Sequence, residues 1–434
     1  MLRSMFSRKQ LLAGLAAMAL VVAACSSGGS VKSGKVTLTF WSWVPHLQSE
    51  VALFEKAHPN IHVNLVNAGQ GAAEYTKLRT ALKAGSGAPD VVQIEFQYLP
   101  TFEQIHGLLD ISKYGANSIK GAYVPWAWSQ VSKGSAVYAI PQDSGPMGLL
   151  YRKDIFAKYH LTVPTTWAQF AQTAAKLHAA NPNIYLTDLP TNDPGWMNGL
   201  LWQAGWRPFQ VSGSTISISI DQPAGVRVAD YWGNLVRQHL VATDPDFTSG
   251  WYSALGTGKY AAWVTAAWGP VFLSGVAGKT AGKWRAAPIP QWTPGATVSA
   301  NWGGSTDAVT TQTAHPQQAA ELAMWINHDM TSARILATKS FLFPTLTGLL
   351  DNSAFADAKL SFYGGQEVNK IFIDSSKKVN LAFEWSPFQD YVYSQMGTYL
   401  GQAVNGKISF AGAMQQLQGS VVSYAKAQGF TVKP

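Results

Sequence analysis

The side chains with the most evident binding chemistry in this 434-residue sequence are aromatic rings. The chain contains 17 Trp, 16 Tyr and 19 Phe, more tryptophan than a core of this size needs, and several of these tryptophans lie in segments with the composition of loops. An indole ring offers a flat apolar face, whereas carboxylates and amides form hydrogen bonds. Together these groups suit a sugar ring, which has apolar C–H faces and a rim of hydroxyl groups.

Sequence motifs for nucleotide binding, catalysis or metal binding are incomplete or absent. Gly278-Lys279-Thr280 resembles the end of a P-loop, but the glycine required five positions earlier is Leu273. The nine histidines include no H-E-x-x-H pair, and the sequence has no G-x-S-x-G turn. The single cysteine, Cys25, excludes an intramolecular disulfide and a multi-cysteine metal cluster. We therefore expect a non-enzymatic protein with no cofactor and no metal, although two correctly spaced carboxylates would be enough for a glycosidase.

The net charge argues against nucleic acid as a partner. The chain has 32 Lys and Arg residues against 24 Asp and Glu residues, a formal net charge of +8. Arg3, Arg8 and Lys9 all lie in the first ten residues, so the chain after residue 24 has a net charge of only +5. No dense run of basic residues follows Lys9, and this mild excess is not typical of nucleic-acid binding.

Residues 1–24 have the pattern of a secretory signal peptide. Basic residues precede an apolar run at residues 11–24, which is shorter than the about 20 residues that a stable membrane anchor needs. The segment Val22-Ala23-Ala24-Cys25 resembles a bacterial lipobox, in which the cysteine is acylated and becomes the first mature residue. Residues 25–35 would then be the acylated cysteine and a flexible tether.

We therefore expect an extracytoplasmic protein that is anchored to the bacterial cell membrane through lipidated Cys25. A buried N-terminal helix is the alternative interpretation. The sequence leaves open whether export uses general secretion or the twin-arginine route, and whether the host is Gram-positive or Gram-negative.

Strands that alternate with helices are predicted to position the binding side chains. Alternation of polar and apolar residues predicts the strands, and their order with the helices favours an α/β architecture with parallel sheets. Ligands of such sheets bind at the carboxyl ends of strands, which places Ser42–His46, the loop after Gln93 and the turn after Ile140 at one edge. The main predicted strands are Lys35–Trp41, Ile61–Val66, Asp90–Ile94, Ala136–Ile140, Leu149–Tyr151 and Asp307–Thr311, and the first two predicted helices are Leu47–Ala57 and Ala72–Ala84.

Five stretches carry a resemblance to a known family. They are Val36–Trp43, Gly85–Leu109, Val137–Thr173, Gly258–Gly269 and Asn301–Ile326. In this order, and behind a lipobox, they resemble family 1 extracellular solute-binding proteins, the maltose-binding-protein-like carbohydrate-binding lipoproteins of bacterial ABC importers. The resemblance extends over nearly the whole mature chain.

The resemblance implies an α/β, two-lobed periplasmic-binding-protein-like fold with an interlobe cleft and a hinge of several segments. The chain would cross between the lobes near Gln142–Gly145, return near Trp302–Gly304 and leave again near Phe343–Pro344. Proline and glycine residues punctuate these segments, as a hinge requires. The implied N-terminal lobe is residues 36–143 plus 303–343, and the implied C-terminal lobe is residues 144–302 plus 344–434.

The resemblance also implies which residues contact the ligand. Trp43 would lie in the cleft loop, Glu95 and Gln97 would follow the third strand, and Asp143 would lie in the first crossing. The alternatives are core packing for Trp43, a solvated loop acid for Glu95 and a turn residue bonded to its own backbone for Asp143. The predicted ligand-binding set is Trp43, Glu95, Gln97, Asp143, Trp196, Trp268, Trp302, Gly303 and Trp385.

These features together predict a lipid-anchored, monomeric solute-binding receptor of an ABC importer. It would bind a mono- or oligosaccharide in the cleft and deliver it to a membrane permease by lobe closure, with the ATPase on a separate chain. One alternative is a protein of the same fold that binds a non-sugar solute, although the cleft segments contain almost no Lys or Arg for a phosphate or a peptide. The other alternative is a secreted carbohydrate-active hydrolase.

Overall fold

The structure, a computed structural model, describes residues 34–433. The predicted signal peptide and Cys25 therefore lie outside the described residues. Within residues 34–433 the chain forms 13 strands: β1 (Val36–Trp41), β2 (Ile61–Val66), β3 (Val91–Glu95), β4 (Ser132–Lys133), β5 (Ala136–Val137), β6 (Ala139–Pro141), β7 (Met147–Arg152), β8 (Phe209–Ser212), β9 (Thr215–Ile218), β10 (Ala262–Ala266), β11 (Trp284–Pro288), β12 (Ser305–Val309) and β13 (Thr431–Lys433).

The same residues form 17 α-helices, and none of the helices in this range is both long and apolar enough to cross a membrane. The helices are α1 (Gln48–Ala57), α2 (Ala72–Ala84), α3 (Leu99–Gln104), α4 (Pro125–Ser129), α5 (Lys153–Lys158), α6 (Trp167–Ala180), α7 (Pro194–Gln203), α8 (Pro223–Arg237), α9 (Ser249–Thr257), α10 (Gly269–Val276), α11 (Pro316–His328), α12 (Met330–Thr338), α13 (Thr347–Leu350), α14 (Ser353–Ala356), α15 (Val368–Ser376), α16 (Gln389–Val404) and α17 (Phe410–Ala427).

A five-stranded sheet in the order β2-β1-β3-β12-β6 is the core of the first lobe. β1 pairs in parallel with β2 and β3, as the alternation of strands and helices predicts. β12 comes from much later in the chain and lies antiparallel between β3 and β6. Leu38, Phe40 and Val92 of the sheet are fully buried, and helices α1 and α11 pack together over it.

Two three-stranded sheets form the second lobe. One has the order β10-β7-β11 and the other the order β13-β9-β8, and α17 packs against α8, α16 and β13. The prediction of parallel sheets is wrong for the first of these, because β7 pairs antiparallel with both neighbours. Side chains alternate in the same way in parallel and antiparallel strands, so the sequence pattern does not encode the direction of pairing.

Three segments run side by side where the chain passes between the lobes. The backbone N–H of Ser144 donates to the carbonyl of Phe343 (2.9 Å), and that of Trp302 donates to the carbonyl of Gly145 (2.8 Å). Isolated bridges pair Asp143 with Pro344 and Pro146 with Asn301. Gly145 is required here because a Cβ at this position would lie 1.9 Å from the carbonyl oxygen of Trp302.

Candidate functional site

The first wall of the cleft is built at the carboxyl ends of β1 and β3. The backbone N–H of Trp43, just after β1, donates to Gln93 Oε1 (3.0 Å), which fixes the loop that carries the indole. The ring of Trp43 meets that of Tyr75 edge to face at 6.1 Å. The Tyr75 hydroxyl accepts from the backbone N–H of Glu95 (2.9 Å) and donates to Glu95 Oε2 (3.1 Å). Trp43 and Glu95, two predicted site residues, thus both contact Tyr75, one through its ring and the other through its hydroxyl group.

A short 3-10 helix, Phe96–Tyr98, continues this wall directly after β3. Gln97 in this helix is largely buried and lies close enough to the Glu95 carboxyl group to lower its pKa, against the larger effect of burial. Tyr98 packs against Tyr75 with ring centroids 4.6 Å apart. The wall therefore combines a carboxylate and an amide with two tyrosines.

The opposing wall begins at the N-terminus of α7 in the second lobe. Asp193 is the N-cap of this helix, and its Oδ1 accepts from the backbone N–H of Trp196 (3.0 Å). The indole of Trp302 lies close enough to this carboxylate to lower its pKa, against the larger effect of burial. Trp302 meets Trp268 edge to face at 4.6 Å, and the Trp268 indole N–H donates to the Trp302 carbonyl (3.0 Å). Two of the predicted tryptophans therefore form one rigid aromatic unit beside a carboxylate.

Phe247 extends this aromatic unit toward solvent. Its side chain is 37% exposed, and its ring lies 5.9 Å from Trp268 and 6.3 Å from Trp302. Its backbone has φ +55°, a left-handed conformation that a bulky residue seldom adopts. Phe272, 47% exposed, lies 5.6 Å from Trp268 and 6.2 Å from Phe247, so the three rings pack against one another.

Groups from both lobes converge between these walls. Burial raises the pKa of Glu95, and the negative charge of Asp193 raises it further. Burial also raises the pKa of Asp193, to about 6. Tyr393 of α16 is close enough to Tyr98, Asp193 and Glu95 for each of them to raise the pKa of its hydroxyl, after burial itself. Among residues 34–433, no basic side chain lowers the pKa of Glu95 or Asp193.

Asp143 and Gly303 hold the crossing segments together. Asp143 is 7% exposed, and its Oδ1 accepts from the backbone N–H of Ser305 (2.8 Å). Burial raises the pKa of Asp143 to about 7. Gly303 has φ +78°, and its carbonyl accepts from Asn301 Nδ2 (2.6 Å). Asp143 therefore bonds to a neighbouring segment and not to the backbone of its own turn.

The structure does not bring Trp196 to the facing walls, whereas Trp385 lies in a groove that residues of both lobes line. Trp196 is 1% exposed and its indole N–H donates to the carbonyl of Val264 (2.9 Å), so it belongs to the core of the second lobe. Trp385 is 8% exposed and packs edge to face against Trp202 at 5.7 Å. Its ring lies 6.5 Å from that of Tyr393, the aromatic residue that faces the first lobe.

Five residues of the site are absent from the predicted set: Tyr75, Tyr98, Asp193, Phe247 and Tyr393. Asp193 has a sequence signal, because an Asp directly before a Pro is typical of a helix N-cap followed by N1 proline. The tyrosines have no such signal, since each lies inside or beside a helix whose orientation depends on the assembled fold.

This architecture, two lobes with a cleft between aromatic and carboxylate walls, defines a two-lobed, periplasmic-binding-protein-like solute-binding protein. The family model for bacterial extracellular solute-binding proteins matches residues 41–328. The chain therefore belongs to this family.

Several relatives are similar over most of their length. An arabinooligosaccharide-binding protein of Halalkalibacterium halodurans is 24% identical over 364 residues, which cover 80% of each chain. An ABC-transporter-associated binding protein from B. animalis subsp. lactis, solved with β-1,6-galactobiose, is 31% identical with a TM-score of 0.80, covering 92% of this chain and all of that one. The galacto-N-biose-/lacto-N-biose I-binding protein of Bifidobacterium longum, solved with lacto-N-biose, is 25% identical with a TM-score of 0.81, covering 92% and 99%.

Proposed function

We propose that this protein is a lipid-anchored receptor that binds a neutral mono- or oligosaccharide between its lobes and delivers it to an ABC importer. The observation that carries the proposal is the pairing of aromatic faces with carboxylates on both walls, Trp43 with Glu95 on one side and Trp268 with Asp193 on the other. Aromatic faces pack on the apolar side of a sugar ring, and carboxylates accept hydrogen bonds from its hydroxyl groups. The saccharides named for the similar proteins support this ligand class.

The charge of the site favours an uncharged ligand. Glu95 and Asp193 are both acidic, the charge of Asp193 raises the pKa of Glu95, and no basic side chain of the described residues lowers the pKa of either group. A phosphorylated or acidic sugar would add a further negative charge in a partly desolvated cleft, which is costly. A neutral sugar supplies hydroxyl donors without that cost.

The proposed mechanism is closure of the lobes around the ligand. A ligand that contacts both walls binds the closed arrangement better than the open one, and this difference in affinity shifts the equilibrium. The paired crossing segments are the proposed hinge. We propose lobes of residues 36–143 plus 303–347 and 144–302 plus 348–434. The boundary lies after residue 347 and not after the expected residue 343, because Val124 N–H donates to Thr345 O (2.9 Å) and Thr347 Oγ1 donates to Ala122 O (3.0 Å).

Membrane attachment and transport complete the proposal. Acylated Cys25 would hold the receptor at the extracytoplasmic face, and residues 25–35 would tether it. The closed, loaded monomer would dock on the transmembrane subunits of the permease, whose ATPase is a separate chain. The receptor itself would not modify the sugar.

Tryptophan fluorescence of the chain from residue 26 onward tests the ligand class. We would titrate β-1,6-galactobiose, lacto-N-biose, lactose and arabino-oligosaccharides, with glucose 6-phosphate as the charged comparison. The proposal predicts a saturable change with one or more neutral sugars, no product by chromatography, and weaker binding of the phosphate. Conversion of a sugar would instead indicate a hydrolase. A folded protein that binds none of these sugars would indicate that the ligand is a non-sugar solute.

A further inference from the structure

One ion pair joins the two lobes beside the cleft. Arg79 on α2 of the first lobe donates from Nη2 to Asp390 Oδ2 on α16 of the second lobe at 2.7 Å. The two residues are 311 positions apart in sequence. Every other ion pair between side chains of residues 34–433 stays within one lobe.

Each partner is held in place by its own lobe. The Arg79 guanidinium lies 5.8 Å from the ring centroid of Phe102, a fully buried residue of α3. Asp390 lies in the first turn of α16, where the helix dipole favours a negative charge. Its Oδ1 also accepts from the backbone N–H of Tyr391 (3.2 Å). Both side chains therefore have a contact within their own lobe in addition to the contact with each other.

The pair lies directly beside the two tyrosines that face each other across the cleft. α16 packs against Phe96–Tyr98, and the charges of both Asp390 and Arg79 act on the Tyr98 hydroxyl, whose pKa is raised chiefly by burial. Asp390 and Tyr393 are three residues apart on α16, so they share one face of the helix. The ion pair, Tyr98 and Tyr393 therefore lie in one region between the lobes.

We propose that Arg79 and Asp390 form an electrostatic latch that stabilises the closed arrangement of the lobes and positions Tyr98 and Tyr393 as facing walls. The Arg79 and Asp390 side chains are 30% and 40% exposed, so dissolved salt screens their attraction. The latch makes closure of the ligand-free protein sensitive to salt. Resting on the proposed function, it also makes the affinity for an uncharged sugar salt-dependent, although such a sugar has no charge of its own to be screened.

Small-angle X-ray scattering of the ligand-free chain from residue 26 onward tests the latch without any sugar. Between about 10 mM and about 1 M NaCl the Debye length falls from about 30 Å to about 3 Å. We expect the radius of gyration of the wild type to increase over this range. Arg79→Gln and Asp390→Asn should each be expanded already at low salt and should not respond to salt.

A charge reversal and a matched control make the test specific. The double variant Arg79→Glu/Asp390→Arg should be compact at low salt and should expand at high salt, as the wild type does. Lys83→Gln removes a positive charge from the last turn of the same helix α2, where the side chain is exposed and forms no ion pair within the described residues, and it should behave as wild type. Equal radii for wild type and Arg79→Gln at low salt, or a folded double variant that stays expanded, would overturn the latch.

A second measurement connects the latch to ligand binding. With β-1,6-galactobiose as the probe, Arg79→Gln should raise the dissociation constant several-fold through faster dissociation, and Lys83→Gln should not. An unchanged dissociation rate in Arg79→Gln would contradict the latch. If the probe does not bind to any variant, the proposed function is in question, whereas the scattering result still decides the latch.

Discussion

Replacement of Trp268 by alanine is the sharpest test of the aromatic wall. The indole meets Trp302 at 4.6 Å and Phe247 at 5.9 Å, and its N–H donates to the Trp302 carbonyl. Loss of one aromatic face that stacks on a planar ligand costs about 1–3 kcal/mol. Because about 1.4 kcal/mol corresponds to tenfold, Trp268→Ala should raise the dissociation constant for a bound sugar by about 5-fold to about 150-fold.

Isothermal titration calorimetry measures this effect, beginning with the sugar that gives the strongest fluorescence response. Trp268→Phe keeps a ring but loses the N–H and should recover much of the affinity. Trp292→Ala is the matched control, because Trp292 packs beside Trp167 and Tyr231 in the second lobe, away from the facing walls. A Trp268→Ala protein with an unchanged dissociation constant and an unchanged thermal transition would refute the assignment of Trp268 to the ligand wall.

Four further predictions follow from individual residues. Burial raises the pKa of Asp193 to about 6, and its proposed role as an acceptor of sugar hydroxyl groups requires the ionised carboxylate. The affinity for the sugar should therefore fall about tenfold from pH 7 to pH 5, and Asp193→Asn should remove most of this pH dependence. Glu74 is fully buried, neither of its carboxyl oxygens is hydrogen-bonded, and burial raises its pKa to about 8. Its contribution to stability should decline as the pH rises from about 4.5 to about 8. The melting temperature of Glu74→Gln should therefore fall less between pH 5 and pH 8 than that of the wild type. Gly145→Ala places a Cβ 1.9 Å from the Trp302 carbonyl and should destabilise the protein by about 1–3 kcal/mol in denaturant titrations. Cys25→Ser should release the protein from the membrane fraction.

Each of these has a contrary outcome. A flat pH profile for sugar binding would remove Asp193 from the contacts, and a rising melting temperature between pH 5 and pH 8 would contradict the sign of the Glu74 effect. The sign follows because the unfolded Glu74 ionises near its usual pKa, whereas the folded group ionises only at higher pH. If Gly145→Ala were as stable as the wild type, the predicted destabilisation would be wrong. If a lipid-free Cys25→Ser product stayed in the membrane fraction, the predicted anchor would be wrong.

Local patterns predict the first two strands and the first two helices to within one residue. The strand predicted at Ile61–Val66 and the helix predicted at Ala72–Ala84 are confirmed with their bounds. Gly85 ends the helix in a left-handed conformation (φ +72°), and a Gly-rich turn is a strong sequence signal for such an end. The strand predicted at Ala136–Ile140 is instead interrupted at Tyr138, between β5 and β6.

Contacts between distant segments account for what the sequence could not predict. The strand predicted at Asp307–Thr311 is β12, two residues earlier, and its antiparallel place between β3 and β6 depends on the return of the chain from the second lobe. At the start of α7 the sequence predicts Trp196 as the ligand contact and misses Asp193, because the packing of Trp196 against Trp232 at 4.8 Å and the effect of the Asp193 charge on Glu95 both depend on the assembled fold. Composition distinguishes a binding tryptophan from a core tryptophan poorly, because both have large apolar rings.

A crystal structure of the chain from residue 26 onward with the tightest-binding neutral sugar tests the central claim most directly. We predict the sugar between the lobes, with a ring face against Trp268 and hydroxyl groups within hydrogen-bond distance of Glu95 and Asp193. A sugar bound outside the cleft, or a ligand in the cleft that contacts neither the indole nor the two carboxylates, would contradict the account.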